Sequence, residues 1–281
     1  MKMVIIAEDE EKTMKLIDTH VHIFPDKIAT NALNKISAPA RKCPTTNGML
    51  FGTLKKMEEW GVSEIWAQCI ATNLHQVESV NDFAISIKSE KVLPFGSVFP
   101  HAVSDSLFEL KRIKEKGIQC IKLHPEYQRF EVSDEKFFPI YEFIEKNGML
   151  LLFHAGKDCA FLDTHYASPQ SIRIVHDVFP KLKMICAHLG GWNDWDDVLR
   201  YTAGCDIYFD TATLAGYISP DELKAIFKAH PLERILFASD APWSTPQKEI
   251  DTLKILGLSN DDMEKICYKN AENLKAEMGI C

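Results

Sequence analysis

Several features that mark other classes of protein are missing from this 281-residue sequence. No apolar run approaches the roughly 20 residues that a helix needs to cross a bilayer. Basic residues are not in excess, because 32 Lys and Arg stand against 40 Asp and Glu, a net charge of −8. This balance disfavours nucleic acid and anionic membranes as partners. We expect a small-molecule substrate instead, an anionic one held by a local lysine or arginine.

Disulfide frameworks and secretion signals are missing as well. The eight cysteines include no CxxC pair, and Cys69, Cys120 and Cys186 lie inside apolar runs. Reduced and mostly buried thiols are therefore expected. The apolar stretch 3–7 is too short for a signal peptide, and the acidic run 8–11 follows it. Together these absences predict a cytoplasmic protein.

Short apolar runs alternate along the chain with longer amphipathic segments. Near-continuous apolar runs are typical of parallel strands that helices cover. Eight runs at intervals of roughly 25 to 35 residues match the repeat of a (β/α)8 barrel. The alternative is a doubly wound open sheet, but no glycine-rich phosphate loop follows the first run. We therefore predict an α/β protein of one domain, a (β/α)8 TIM barrel. The predicted strands are Lys15–His22, Glu64–Ile70, Val92–Phe99, Gln119–His124, Met149–His154, Lys183–His188, Asp206–Thr211 and Ile235–Asp240.

The barrel is predicted over residues 15–281, after an N-terminal extension at 1–14. Only the first connection, 24–52, is much longer than a plain turn. It is either a flexible surface excursion or a lid over the barrel mouth. The lid is favoured because the loops after strands form the active-site face of a barrel. Predicted helices include Ser104–Lys116, Ser133–Asn147, Ser168–Val178, Asn193–Thr202 and Ser219–Ala229.

Titratable side chains stand at the ends of five predicted strands. Side chains alternate along a strand, so His20 and His22 point to the same side and can reach one metal ion from the barrel interior. His154 and Asp240 end strands across from and beside this pair. Three imidazoles and one carboxylate suit Zn²⁺, with Mn²⁺ or Fe²⁺ as alternatives. Each residue alone could be structural, but together they favour a metal site. The strand-end residues are His20, His22, His124, His154, His188 and Asp240.

Five stretches carry a resemblance to a known family. Taken in order, they resemble the amidohydrolase superfamily, and within it the amidohydrolase-2 branch of aminocarboxymuconate-semialdehyde decarboxylase-like and other metal-dependent hydrolase-like proteins. The resemblance implies one catalytic metal bound by His20, His22, His154 and Asp240. It also implies that His188 orients or polarises the metal-bound water or the substrate. The stretches are Ile17–His22, Ile121–Pro125, Phe153–Gly156, Ala187–Gly191 and Phe237–Pro242.

Lys122 raises the question of a second metal. It lies two residues before His124 on the fourth predicted strand and therefore faces the same way. Many superfamily members bridge two metals with a carboxylated lysine on this strand, and a plain lysine could instead pair with a substrate carboxylate. The Leu-His-Pro that follows Lys122 resembles the single-metal branch, so one metal is predicted.

The predicted function is hydrolysis of a small carbonyl-containing substrate, an amide, lactone or ester, by a metal-activated water. Asp240 is predicted to move the proton, with His188 as the second catalytic residue. A non-oxidative decarboxylase of a small cyclic or unsaturated carboxylate is the alternative, because one metal centre suits both chemistries. A non-catalytic zinc-binding protein is a further alternative, which needs a closed set of four protein ligands.

Loops after the strands supply the candidates for substrate contact. Aromatic rings with a few cations suit a small cyclic carboxylate. The family resemblance also makes a homodimer an open alternative to a monomer. The predicted substrate-binding residues are Phe24, Lys122, His124, Tyr127, Lys157 and Trp243.

Overall fold

Eight parallel strands form the centre of the computed structural model, which describes residues 14–161 and 163–280. Each strand lies inside its predicted run and ends earlier at the carboxyl end. The predicted N-terminal extension falls almost entirely on residues 1–13, which lie outside the described residues, as do Leu162 and Cys281. The strands are β1 (Ile17–Val21), β2 (Glu64–Gln68), β3 (Val92–Phe95), β4 (Cys120–Leu123), β5 (Leu150–Phe153), β6 (Met184–Cys186), β7 (Tyr208–Asp210) and β8 (Ile235–Leu236).

Backbone pairing closes these strands into a barrel. β1 to β3 and β4 to β8 pair in sequence order as two parallel sheets. A parallel bridge from Gly96 to Ile121 joins the sheets between β3 and β4. A second one, from Val21 to Ala241, joins β1 to the chain just after β8. The predicted (β/α)8 barrel is confirmed.

Helices cover the outside of the barrel, and several start where the sequence predicts. Ser168 and Ser219 accept the N–H groups of Ser171 and Glu222, as N-cap serines do. The helix predicted from Ser104 begins one residue earlier. The helices are α1 (Asp26–Ala40), α2 (Leu50–Glu59), α3 (Val77–Ile87), α4 (Val103–Glu115), α5 (Pro125–Gln128), α6 (Phe138–Lys146), α7 (Pro169–Val178), α8 (Trp195–Asp197), α9 (Pro220–Ala229), α10 (Pro246–Leu253), α11 (Asn260–Glu264) and α12 (Asn270–Met278).

The first connection differs most from the sequence prediction. Residues 24–52 contain the 15-residue helix α1 rather than an irregular loop. Its prolines read as loop signals, but Pro25 precedes the first turn, where a missing N–H removes no helical bond. Pro39 lies in the last turn, so it interrupts little of the helix. Ala29 and Leu33 are buried and hold α1 against the body of the protein. That α1 acts as a lid stays a prediction.

One buried cluster receives side chains from all eight strands and therefore fills the barrel interior. Its largest members include Trp66 and Phe95, with Leu150 and Leu152 from β5. Leu274 of α12 joins the same cluster, so α12 closes the barrel at the end where the strands begin. The opposite end, where the strands finish, is left to polar side chains and loops. This division is the one that places active sites in barrels of this kind.

The sequence predicts reduced, mostly buried cysteines and contains no apolar run long enough to cross a bilayer. Cys69, Cys120 and Cys186 are buried, as predicted, and no cysteine of the described residues is paired. Across the same part of the chain, no helix combines the length and apolar character needed to span a bilayer.

Gly156 is a close-packing point between the loops after β5 and β6. It adopts φ +82°, and a Cβ there would lie 2.3 Å from the backbone nitrogen of Trp192. We expect Gly156→Ala to lower the free energy of unfolding by about 3 kcal/mol, because backbone atoms cannot move aside. Gly61 has the same φ, but a Cβ added there would meet no atom within 4 Å. Gly61→Ala should therefore cost only the left-handed strain, about 1 kcal/mol. Urea unfolding of both variants checks this, and equal losses would contradict the steric explanation.

Candidate metal centre

A β-bulge in β1 turns His20 and His22 toward the barrel interior. Ile17, at the start of β1, packs in the interior cluster, so unbroken alternation would send His20 and His22 outward. Between Asp18 and Val21, however, the pairing advances three residues on β1 and only two on β2. The extra residue reverses the side to which the following residues point. Both imidazoles therefore face inward.

His124 and His154 reach the same end of the barrel by simple alternation. His124 follows Cys120 by four residues on β4, and His154 follows Leu150 by four residues on β5. Cys120 and Leu150 both belong to the interior cluster. The two imidazoles lie stacked, with ring centroids 4.2 Å apart and planes inclined by 9°.

His188 and Asp240 point into the site, and both adopt left-handed backbone conformations. Their φ angles are 59° and 64°, a region that residues with side chains seldom adopt. The His188 N–H donates to Asp210 Oδ1 at 2.8 Å, and the Asp240 N–H donates to the His20 carbonyl at 2.9 Å. Such conformations concentrate at functional sites, where the surrounding contacts hold them.

Three donor atoms converge in what we name the first cluster, His20, His22 and Asp240. Asp240 Oδ1 lies 3.1 Å from His22 Nε2 and 3.7 Å from His20 Nε2. Ligand atoms bound at about 2.0–2.1 Å to a tetrahedral Zn²⁺ stand about 3.4 Å apart. Burial alone would raise the pKa of Asp240, but the hydrogen bond with His22 and the neighbouring imidazoles hold it well below its usual range. The carboxylate is thus available as an anionic ligand.

The partners of the first cluster fit a bound cation. Asp210 Oδ2 lies 2.8 Å from His20 Nδ1. A carboxylate there accepts the Nδ1 proton, which leaves a lone pair on Nε2 facing Asp240. The Thr213 hydroxyl donates to Asp240 Oδ2 and fixes the other carboxylate oxygen. This contact between Asp210 and His20 is the one that a residue orienting a metal ligand makes.

A further group of ligand-type side chains, which we name the second cluster, comprises His124, His154 and Asp158. Asp158 Oδ2 lies 3.5 Å from His124 Nε2 and 3.7 Å from His154 Nε2. Among the described residues, only these two clusters bring three such ligand atoms within 4.8 Å of one another. Sequence reasoning missed Asp158. Its signal was a carboxylate four residues after a strand-end histidine, in a loop of the active-site face.

His154 stands with the second cluster rather than the first. Its Nδ1 lies 3.1 Å from His188 Nε2, and the His188 Nδ1 lies 2.8 Å from the Ala212 carbonyl. His188 thus lies between the clusters, with its ring centroid 4.8 Å from that of His154 and 5.5 Å from that of His20. Burial lowers the pKa of both His154 and His188 to about 3, so both are neutral near pH 7. The role of His154 as a ligand of the first metal stays a prediction.

Lys122 lies at the floor of the site rather than at its mouth. Its side chain is fully buried, and Nζ lies 3.3 Å from His20 Nε2. Burial lowers the pKa of Lys122 to about 8, and the nearby carboxylates Asp210 and Asp240 oppose the shift. A group with this pKa can lose its proton when a cation approaches His20. Its predicted contact with substrate stays a prediction.

The other predicted contact residues surround the two clusters at different depths. Tyr127 meets His124 edge-on at 4.7 Å and Phe161 at the same distance. Lys157 points to the rim, where Nζ pairs with Asp194 Oδ1 at 3.0 Å. Phe24 and Trp243 are half-buried on the loops after β1 and β8. His124 itself belongs to the second cluster, Tyr127 packs against it, and the Lys157 carbonyl oxygen lies 3.2 Å from His154 Nε2.

This geometry can be compared with known proteins. The family model described as Amidohydrolase (Amidohydro_2) matches residues 17–274, which is most of the chain. The chain belongs to this family. The match includes every residue of both clusters, so the amidohydrolase-2 resemblance seen in the strand-end motifs is confirmed.

Individual relatives match this chain over shorter stretches. A dihydroorotase of Helicobacter pylori (strain HPAG1) is 33% identical over 94 residues, 31% of this chain and 28% of the relative. The decarboxylase orsB of Emericella nidulans is 29% identical over 122 residues, 36% of each chain. The matches thus span about a third of the curated relatives. An uncharacterised TIM-barrel protein of Bordetella bronchiseptica has a TM-score of 0.75 at 20% identity, over 95% of this chain and 100% of that one. This last likeness concerns the fold.

Proposed function

We propose that this amidohydrolase is a metal-dependent hydrolase of a small carbonyl-containing substrate, an amide, lactone or ester. The observation that carries the proposal is the first cluster, in which His20 Nε2, His22 Nε2 and Asp240 Oδ1 converge beside a neutral His188. Hydrolysis needs a base and a Lewis acid at one point. A cation at these three atoms and the ionised Asp240 meet that need.

The residues His20, His22 and Asp240 would hold the cation, and Zn²⁺ suits two imidazoles and a carboxylate, with Mn²⁺ or Fe²⁺ as alternatives. When bound, such an ion polarises a carbonyl and lowers the pKa of a water near it. Three protein ligands leave a position for water or substrate, which distinguishes a catalytic site from a closed structural one.

The protein side of the reaction is proton transfer and positioning. Asp240 is ionised and can accept a proton from the attacking water, and its lowered pKa then favours return of that proton to the leaving group. His188 Nε2 is an acceptor, because its Nδ1 proton is held by the Ala212 carbonyl. His154 Nδ1 lies 3.1 Å from this atom, so a substrate hydroxyl or amide hydrogen would bind His188 Nε2 by displacing that contact.

A cavity beside the second cluster suits the body of a small cyclic substrate. Its volume is about 410 Å³, and it opens next to Tyr127, the residue that touches His124. Such partly aromatic pockets bury small ligands while a few polar groups fix their orientation. Arg129, at the rim, offers a cation for a negatively charged substituent. The lining residues are Thr72, Phe99, His101, Tyr127, Gln128, Arg129 and Phe161.

Non-oxidative decarboxylation is the second candidate, favoured by the match to the decarboxylase orsB. That reaction has to deliver a proton to the carbon that loses CO₂. The imidazoles nearest the first cluster are poor proton sources, because burial lowers the pKa of His154 and His188 to about 3. Lys122, with a pKa of about 8, is the remaining donor on the site floor. Hydrolysis is preferred because the ionised Asp240 supplies a base at the point where the three ligand atoms of the first cluster converge.

One assay separates the two reactions. The Zn²⁺-loaded protein is offered a panel of lactones, amides, esters and cyclic carboxylates, with ring opening or acid release and ¹³CO₂ release followed in parallel. We expect metal-dependent hydrolysis of at least one substrate and no ¹³CO₂. A protein stripped of metal by a chelator is the control and should be inactive until Zn²⁺ is restored. Release of ¹³CO₂ without any hydrolysis would overturn the proposal in favour of the decarboxylase.

A further inference from the structure

We propose that Glu249 is a positioning residue, which acts through Thr213 to direct the Asp240 carboxylate into the first cluster. Glu249 lies in the first turn of α10 and is not among the ligand-type side chains of either cluster. The inference rests on the proposed function only in that Asp240 serves as a metal ligand, and it does not depend on which reaction the metal centre catalyses.

The two carboxylate oxygens of Asp240 have separate partners. Oδ1 faces the imidazoles, 3.1 Å from His22 Nε2 and 3.7 Å from His20 Nε2. Oδ2 accepts the hydroxyl hydrogen of Thr213. Rotation of a carboxylate about its last side-chain bond is only weakly restricted, because torsions that end on an sp² carbon are broad. The Thr213 hydroxyl therefore selects the rotation that presents Oδ1 to a cation.

Thr213 needs contacts from other residues to hold this position. Its φ is 53°, in the left-handed region that a β-branched residue rarely adopts. On one side, its carbonyl accepts the Nε1–H of Trp192 at 3.3 Å. On the other side, the N–H groups of Leu214 and Ala215 both donate to Glu249 Oε2, at 2.9 and 3.0 Å. Strained backbone persists only where surrounding contacts hold it, and Glu249 supplies two of these contacts.

The other oxygen of Glu249 contacts the loop that carries Asp240. The Ser244 hydroxyl donates to Glu249 Oε1, and Ser244 follows Asp240 by four residues. One side chain thus joins the loops after β7 and β8, which supply Thr213 and Asp240. Glu249 is fully buried, so its removal would leave two backbone N–H groups without an acceptor. We infer that the left-handed turn at Thr213 would then relax and withdraw its hydroxyl from Asp240.

The contacts of Glu249 require its shape rather than its charge. Burial raises the pKa of Glu249 to about 7, so the neutral acid is well populated near neutral pH. Both backbone N–H groups bond to one oxygen, and the Ser244 hydroxyl bonds to the other. A glutamine can keep all three contacts, because its carbonyl oxygen accepts both N–H groups and its amide donates to the Ser244 oxygen. A methionine has a similar size but no hydrogen-bonding group for these partners.

Zinc affinity tests the inference without turnover. Metal-free proteins are titrated with Zn²⁺ in competition with a chromophoric chelator. We expect Thr213→Val and Glu249→Met to bind zinc about 10- to 100-fold more weakly than the wild type, as when a group that orients a metal ligand is lost. Thr213→Ser and Glu249→Gln keep the hydrogen bonds and should bind zinc as tightly as the wild type.

Two controls separate positioning from a general loss of stability. Thr202→Val removes another buried hydroxyl, which bonds only the Val198 carbonyl of its own helical turn, and Glu115→Met changes an exposed glutamate of α4. Both should keep the zinc affinity of the wild type. The visible absorption of bound Co²⁺, which reports the arrangement of its ligands, should change in Thr213→Val and not in Thr202→Val. Urea unfolding of the metal-free proteins establishes that each variant is folded.

A double variant tests whether Glu249 acts through Thr213. Thr213→Val combined with Glu249→Met should bind zinc no more weakly than the weaker of the two single variants, because both changes remove the same contact with Asp240. Additive losses would overturn the inference. If Glu249→Met fails to fold, Glu249→Asp takes its place, since the shorter side chain keeps the charge but cannot reach all three partners and should also weaken zinc binding.

The other outcomes are equally decisive. Wild-type affinity in Thr213→Val, or an equal loss in Thr213→Val and Thr202→Val, would overturn the inference. A loss in Glu249→Gln as large as that in Glu249→Met would also overturn it, because the glutamine keeps the hydrogen bonds. A wild type that binds zinc but hydrolyses no substrate refutes the proposed reaction alone and leaves these comparisons intact.

Discussion

Asp240→Asn should reduce turnover by at least about 10³-fold. The carboxylate is both a ligand atom of the first cluster and the proposed proton acceptor. Positioned acid–base groups contribute about 10²–10⁴-fold on their own. Asparagine keeps the size of the side chain and the Thr213 contact but lacks the charge that holds a cation.

The backbone conformation at position 240 accommodates asparagine without added strain. Asp240 has φ 64°, and asparagine is among the residues that best tolerate the left-handed region. The fold should therefore survive, and unfolding by urea serves as the check. The matched control, Asp105→Asn, changes an exposed aspartate in the first turn of α4 and should keep full turnover. Turnover of Asp240→Asn within 10-fold of the wild type, at matched bound zinc, would refute the role of the carboxylate.

The fold could be predicted from the sequence because the strongest signals were local and repeated. Each of the eight strands lies within a run such as 149–154, where consecutive apolar residues leave helix and strand as the only choices and the regular spacing selects strand. The helix caps at Ser168 and Ser219 were readable for the same reason, since a cap depends on residues three apart. Helix α1 was not, because two prolines read as loop signals.

The site was only partly predictable, because different features of the backbone orient its side chains. His20 and His22 do point to the same side of the chain. They face inward because of a β-bulge, which the local sequence pattern does not predict. His188 faces inward because of a left-handed residue, which also depends on the tertiary contact with Asp210. Asp158 follows His154 by only four residues, but it lies in a loop, and that separation does not fix the direction in which its side chain points.

Contacts through Asp210 and His188 connect the two clusters. Asp210 contacts His20 through Oδ2 and the backbone of His188 through Oδ1, so one carboxylate orients a ligand of the first cluster and the residue between the clusters. His188 Nε2 also lies 3.1 Å from Nδ1 of His154, a residue of the second cluster. A change at His188 therefore reaches both clusters, although it belongs to neither.

His188→Asn should lower turnover by about 10²–10⁴-fold without removing zinc from the first cluster. The substitution deletes the imidazole acceptor beside the site, while its φ of 59° suits asparagine and the Asp210 contact through the backbone N–H is kept. His188 is not among the ligand atoms of either cluster, so its removal should act on turnover first. This pattern is the reverse of the one expected for Asp240→Asn, in which charge and ligand are lost together.

Measured kcat, KM and bound zinc separate a catalytic from a structural role for His188. We expect kcat to fall, KM to change little and the zinc at the first cluster to stay, whereas replacement of a purely structural residue would lower stability and zinc content together. His75→Asn, on an exposed histidine of the 3-10 turn before α3, is the control and should match the wild type. Unchanged kcat in His188→Asn would exclude His188 from the reaction. Loss of the bound zinc would instead make His188 a structural support, because its contacts with the Ala212 carbonyl and His154 would then hold the ligands rather than the substrate.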